Sequence, residues 1–143
     1  ADHYHAIHNM AASISSGSFH TDGMIVIPCS MKSLSAIASG YGDNLLTRAA
    51  DVSLKEGRKV VLVPREMPLG KAHLHNLLAA ADNGCVIIPP MLTFYSHYPT
   101  TDRQVDHIIG KVLAQFGLAY QHYTPWSERP SPQQSSSGKK TLR

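Results

Sequence analysis

Three short apolar runs in this chain each end in proline and open into a polar loop. They are Met24-Ile25-Val26-Ile27-Pro28, Val60-Val61-Leu62-Val63-Pro64 and Val86-Ile87-Ile88-Pro89-Pro90. Aliphatic runs with no polar alternation describe strands buried on both faces, the habit of parallel sheets. Proline has no N–H to give a ladder, so it ends such a run or marks an edge. Helix-length segments separate the three runs, and strands alternating with helices predict a parallel sheet with right-handed crossovers. Open sheets of this kind bind ligands outside the carboxyl ends of their strands. The loops Cys29-Ser30-Met31-Lys32-Ser33, Arg65-Glu66-Met67 and Thr93-Phe94-Tyr95 therefore mark where a site belongs.

Glycine and polar caps divide the intervening segments. Residues 1–10 read as a loose lead-in, and Ser15-Ser16-Gly17-Ser18 as a turn-rich stretch before the first strand. Ser30 is placed to cap a helix reaching about Ser39, which Gly40 and Gly42 break. Asp43 or Asn44 caps a second helix to about Glu56, closed by Gly57. Pro68 is expected to start a third, over Leu69 to Ala81, with Asn83-Gly84 as its stop. A last helix begins at Thr101 or Asp102 and ends near Gly117. Three strands make a small sheet with two exposed edges that needs cover on both faces, so the chain reads as the back part of a doubly wound α/β domain. Residues 1–126 are expected to form this partial domain, and 127–143, rich in Ser, Gln, Pro and Lys, a disordered basic tail.

Charge limits the partners. The net charge of +3 over 143 residues arises wholly in the tail, where Arg129, Lys139, Lys140 and Arg143 outnumber Glu128. The body carries no net charge and no basic stripe with interleaved aromatics, which speaks against nucleic acid. No apolar stretch approaches a bilayer span, and the polar, His-rich N-terminus is not a secretory signal, so no membrane is expected and the cytoplasm is. Cys29 and Cys85 lie in or beside apolar runs and are expected as buried free thiols. There is no CxxC and no zinc spacing, and His73 and His75, two apart on a helix, face different ways, so no metal is expected.

Several residues can carry chemistry. Asn44, Arg48, Asp51 and Lys55 step by four, three and four along the second helix and share one face. That face is either a solvated seam closed by an Asp51–Lys55 pair or a cationic seam for a phosphate or acidic partner. Arg65-Glu66 directly follows the second strand; it is a surface ion pair, or a phosphate fork beside a proton carrier. Ser30 to Ser33 offers hydroxyls, Lys32 and the unpaired amides of a helix start, which suit phosphate or serve as a plain cap. Phe94 is expected in the core, whereas Tyr95 at the strand end is free to offer a hydroxyl. Lys111, in the last helix, reads as a solvated lysine from pattern alone. No GxGxxG or P-loop is present, so a standard dinucleotide or nucleoside triphosphate site is not supported.

Taken together, these segments resemble the flavin prenyltransferase family, the UbiX-like group. The matching stretches are Ala11 to Phe19, Pro28-Cys29-Ser30-Met31-Lys32-Ser33-Leu34, Asn44 to Val52 with Leu54-Lys55-Glu56, Pro64-Arg65-Glu66-Met67-Pro68-Leu69, and Phe94-Tyr95. They occur in family order and spacing from about Ala11 to Trp126. The resemblance implies a Rossmann-like flavoprotein fold. It also implies a metal-independent enzyme that joins the dimethylallyl group of dimethylallyl monophosphate to N5 and then C6 of reduced FMN. The product, prenylated FMN, would serve a UbiD-type aromatic acid decarboxylase.

The same resemblance assigns roles. Ser30, Met31, Lys32, Ser33 and Arg65 match FMN contacts. Arg48, Lys55 and Glu66 match residues around the prenyl phosphate, Tyr95 matches its hydroxyl donor, and Lys111 falls where the family has Arg or Lys. Trp126 falls near a family tryptophan at the site or a subunit contact. The seam on the second helix becomes a phosphate cradle completed across a subunit interface in a homo-oligomer, trimer-based and dodecameric in the family. Family members begin with a strand and a Gly-rich GxTGASG- or GxSGASG-type turn, which helps bind FMN. This chain begins after that part, so an N-terminally incomplete sheet is expected, and a non-catalytic FMN-binding or accessory subunit stands as the alternative to the enzyme. Cysteine-decarboxylating flavoproteins share the architecture, but their signature loops differ from Pro28-Cys29-Ser30-Met31-Lys32.

Overall fold

In the computed structural model, residues 2–94, 100–123 and 125 are described. Three parallel strands, β1 (Gly23–Cys29), β2 (Lys59–Pro64) and β3 (Val86–Ile87), lie in the order β1-β2-β3. Helices α1 (Met31–Ser39) and α2 (Leu45–Lys55) connect β1 to β2, α3 (Lys71–Asp82) connects β2 to β3, and α4 (Thr101–Ala114) follows.

The central strand shows why the sheet is covered twice. Successive side chains of a strand point to opposite faces. Val60 and Leu62 pack with Leu34, Ile37, Ala50 and Ala80 from α1, α2 and α3. Val61 and Val63 pack with Val112 of α4, and Phe116 and Ile88 close that side. All four β2 side chains are buried, each contributing about 1.5–3 kcal/mol of transfer free energy. Pro28 lies inside β1, which is tolerable because β1 is an edge strand. The register shifts between Val26 and Cys29, and pairing resumes at Cys29 opposite Pro64.

The caps explain where the helices begin. Ser30 Oγ accepts from Ser33 N at 3.1 Å, and Asn44 Oδ1 accepts from Thr47 N at 3.0 Å. Gly40 ends α1 in the left-handed region, φ 70°. The third helix does not begin at Pro68. Its N-cap is Gly70, whose N–H donates to His73 Nδ1 at 3.1 Å, and Pro68 sits ahead of it after a cis bond from Met67. Phe94 is not core: it is 87% exposed. Pro89 and Pro90 cannot extend the ladder, so the chain leaves the sheet after β3 and exposes Met91 and Leu92 as well.

The lead-in, largely exposed, is tied to α2 at one point. Leu45 N donates to Ile7 O at 2.8 Å, and Tyr4 to Ile7 line a groove against Leu45, Leu46 and Ala49 of α2. Cys29 and Cys85 are buried free thiols. No described helix is long and apolar enough to cross a membrane.

Candidate functional site

The carboxyl edge of the sheet gathers one group of candidate residues. Arg65 N donates to Cys29 O at 3.1 Å, tying the loop after β2 to the loop after β1. Ser30 and Ser33 hydroxyls are 3.1 Å apart at the start of α1. The amides of Met31 and Lys32, in the first turn of α1, have no partner among the described residues. Lys32, Arg65 and Glu66 are exposed, and no ion pair involves them among the described residues. Arg65 and Glu66 are thus not the surface ion pair that position alone allowed. Glu66 Oε1 accepts from Met67 N at 3.1 Å. Free amides at a positive helix end, two cations and a hydroxyl pair fit a phosphate group. A carboxylate with solvent access stands beside them.

A second group lies at the other end of the sheet. Both α1 and α3 start at the carboxyl edge and run back, so their last turns mark the amino edge. Lys55 lines a groove of about 390 Å³ with Asp51, Leu54, the last turn of α1 at Ile37 to Gly40, and Asn83 just past α3. Elsewhere along α2, Ala49 and Ser53 share a small cavity with Ile14, Thr21, Gly23 and Arg58, again at the amino ends of β1 and β2. Crossing β2 alone, from Lys59 to Pro64, takes roughly 17 Å. One chain therefore does not bring Arg48 and Lys55 to Arg65 and Glu66.

Within the seam the pairing differs from the sequence expectation. Asp51 pairs with Arg48, Nη1 to Oδ2 at 3.1 Å, and not with Lys55. The reason is a second anchor: Arg48 Nε donates to Ser15 O at 3.1 Å, which fixes the guanidinium over the Asp51 side of the helix. Arg48 has five N–H donors, so two bonds leave donors for a ligand. Lys55 is exposed and has no ion pair among the described residues.

Lys111 is exposed in the last turn of α4, on the opposite face of the sheet from α2. Its helix ends where the Lys59 ammonium meets Gln115 O and sits 5.8 Å from the Phe116 ring centroid. Tyr95 and Trp126 lie outside the described residues. Among the described residues no group of three His, Cys, Asp or Glu side chains is placed to share a metal.

Directly under the Ser30 cap, the Cys29 thiol is pushed up to about 11 by burial and, after that, by Cys85. Burial raises Cys85 as well. Both are therefore protonated near neutral pH and poor nucleophiles. Sequence reasoning passed over Arg58. It is half-buried and donates to Phe19 O at 2.8 Å and Gly17 O at 2.7 Å. Only a contact across some forty positions reveals it.

Comparison with known proteins gives these positions a family. Residues 3–114 match the family model described as Flavoprotein. A "Probable UbiX-like flavin prenyltransferase" of Sedimentibacter hydroxybenzoicus is 65% identical over 126 residues, covering 88% of this chain and 67% of that protein. The solved dodecameric FMN-dependent UbiX-like decarboxylase of Escherichia coli O157:H7 is 57% identical with a TM-score of 0.85, covering 88% of this chain and 68% of its own. AnUbiX, solved in complex with FMN and dimethylallyl pyrophosphate, is 48% identical with a TM-score of 0.85 and coverages of 88% and 67%. The chain thus spans about two thirds of the length of these relatives. On this identity and coverage, the chain belongs to the flavin prenyltransferase family.

Proposed function

We propose that this chain carries the chemistry of a flavin prenyltransferase, joining a dimethylallyl group from dimethylallyl monophosphate to reduced FMN. The observation that carries the reading is the carboxyl edge itself. There the Arg65–Cys29 backbone bond sets Arg65 and Glu66 beside the unpaired amides of α1. Ser30, Met31, Lys32 and Ser33 would hold the FMN phosphate through amides, hydroxyls and the ammonium, and Arg65 would add a planar fork. The reduced flavin, when bound, supplies the nucleophilic N5 and C6.

The remaining work falls to the chain's own side chains. Arg48, Lys55, Lys111 and the Tyr95 hydroxyl would take up the charge that develops on the departing phosphate, in place of a metal ion. Glu66 would exchange a proton with that phosphate or with the flavin. Since the seam on α2 and the carboxyl edge are separate within one chain, the seam of one copy would complete the edge of another, in an oligomer of repeated copies. The dodecameric relative supports this arrangement. The product, prenylated FMN, would pass to a UbiD-type decarboxylase in the cytoplasm.

Incubating the protein with reduced FMN and dimethylallyl monophosphate, then recording the flavin mass, tests the reading. A mass increased by one dimethylallyl unit is expected. Folded protein that binds FMN and leaves its mass unshifted would instead be a non-catalytic FMN-binding or accessory subunit. Repeating the incubation with dimethylallyl pyrophosphate, the molecule in the AnUbiX complex, fixes which donor is used.

A further inference from the structure

Arg58 stands at the turn between α2 and β2, and its own backbone is fixed: its N–H donates to Ser53 O at 2.8 Å. Its guanidinium reaches back some forty positions to Gly17 O and Phe19 O. Arg48, ten residues earlier, takes Ser15 O. Three alternate carbonyls of one segment, at 15, 17 and 19, are thus held by two arginines. Ser16 and Ser18 are exposed, and their hydroxyls are 2.9 Å apart. The segment also lies close against the end of α2, where a Cβ on Gly17 would run into Glu56 Oε1.

We propose that Arg58 is a positioning residue for the donor end of the site: it clamps Gly17 and Phe19 against α2, and so holds in place the Ser15 carbonyl that anchors the Arg48 guanidinium. This rests on the reading that the α2 seam receives the donor's phosphate. A planar fork is needed because two carbonyls two residues apart are held at once; a lysine at 58 satisfies one at a time. Arg58 does not touch the carboxyl edge, so FMN binding is not its concern.

The test uses the full chain and the variants Arg58→Met and Arg58→Lys. Hydrogen exchange reads the segment directly. Arg58→Met is expected to raise exchange across residues 15–19 by about tenfold while the core strand β2 keeps its protection. Titration with FMN and, separately, with dimethylallyl monophosphate reads the site without turnover. The expected result is donor affinity about tenfold weaker in Arg58→Met, partly restored in Arg58→Lys, with FMN affinity unchanged. Unchanged exchange in the segment would overturn the clamp. Parallel losses of FMN and donor affinity, with β2 protection lost, would reduce Arg58 to a general structural role and overturn the proposal too. A wild-type chain that binds donor without forming product would sink the prenyltransferase reading, while the exchange and affinity results still decide the clamp.

Discussion

The two ends of the sheet are built on different plans. At the carboxyl edge, the side chains of Lys32 and Arg65 have no protein partner among the described residues, the first amides of α1 are open, and Glu66 bonds only to the next amide. At the amino end, Arg48 and Arg58 are already committed to three carbonyls and a carboxylate. The first is a set of donors held by backbone and left free in side chain, as befits a group that brings its own anion. The second is preorganised, its arginines fixed before any ligand arrives, while Lys55 takes part in no ion pair among the described residues. The contrast supports the proposed division of the site into two halves with separate duties. It also teaches that the division runs between the ends of the strands and not between domains.

If the duties are separate, single substitutions must separate them too. The largest effect is expected from Glu66→Gln, which keeps the shape and removes the titrating group: FMN stays bound while prenylated flavin formation falls by at least about a hundredfold. Normal product in that variant, read by flavin mass, would take Glu66 out of the chemistry. Next in size is a crossed pair. Arg65→Ala is expected to weaken FMN by about ten- to a hundredfold and leave the donor's KM alone, and Lys55→Ala to raise the donor's KM about tenfold and leave FMN alone. Fluorescence titration and steady-state kinetics read the two axes, and matched losses on both would erase the distinction between the ends.

The smallest effect sharpens the comparison from beneath the carboxyl edge. Cys29 has its thiol pushed up to about 11 by burial and by Cys85, whereas an unfolded cysteine ionises near 8.5. The unfolded chain therefore loses this proton first as pH rises. The contribution to stability is whole below about 8.5 and is lost as pH climbs towards 11. Urea midpoints are expected to fall over that window and to fall less in Cys29→Ala. An equal alkaline fall in both proteins would show that another group is responsible.

Punctuation made most of the fold legible. Proline marks the ends of β2 and β3, although β1 runs through Pro28 to Cys29, glycine follows the helix ends, and the Ser30 and Asn44 caps form as their residue types demand. The errors share a cause. The sequence reading puts Phe94, in the loop after the third strand, in the core, but two consecutive prolines take the chain off the sheet and leave it exposed. The third helix was begun at Pro68, although Gly70 and His73 make the actual cap. The solvated-seam reading pairs Asp51 along the helix with Lys55, yet Arg48 wins because Ser15, far away in sequence, anchors its other side. Ser30 to Ser33, Arg65 and Glu66, at the carboxyl edge, could be placed together from strand ends alone. That Arg48 and Lys55 lie at the opposite end could not, because the path of α2 is set by tertiary packing against Met24, Gly23 and the segment before β1.

The central claim is that an edge from one copy and a seam from another make one working site. Co-expressing Glu66→Gln, about a hundredth active or less alone, with Lys55→Ala, about a tenth active alone at donor concentrations well below KM, tests it most directly when assayed at those concentrations. Mixed oligomers are predicted to recover prenylated flavin formation, because roughly a quarter of the pairings then join an intact edge to an intact seam. A mixture no more active than either parent, from oligomers shown to contain both chains, would contradict the account.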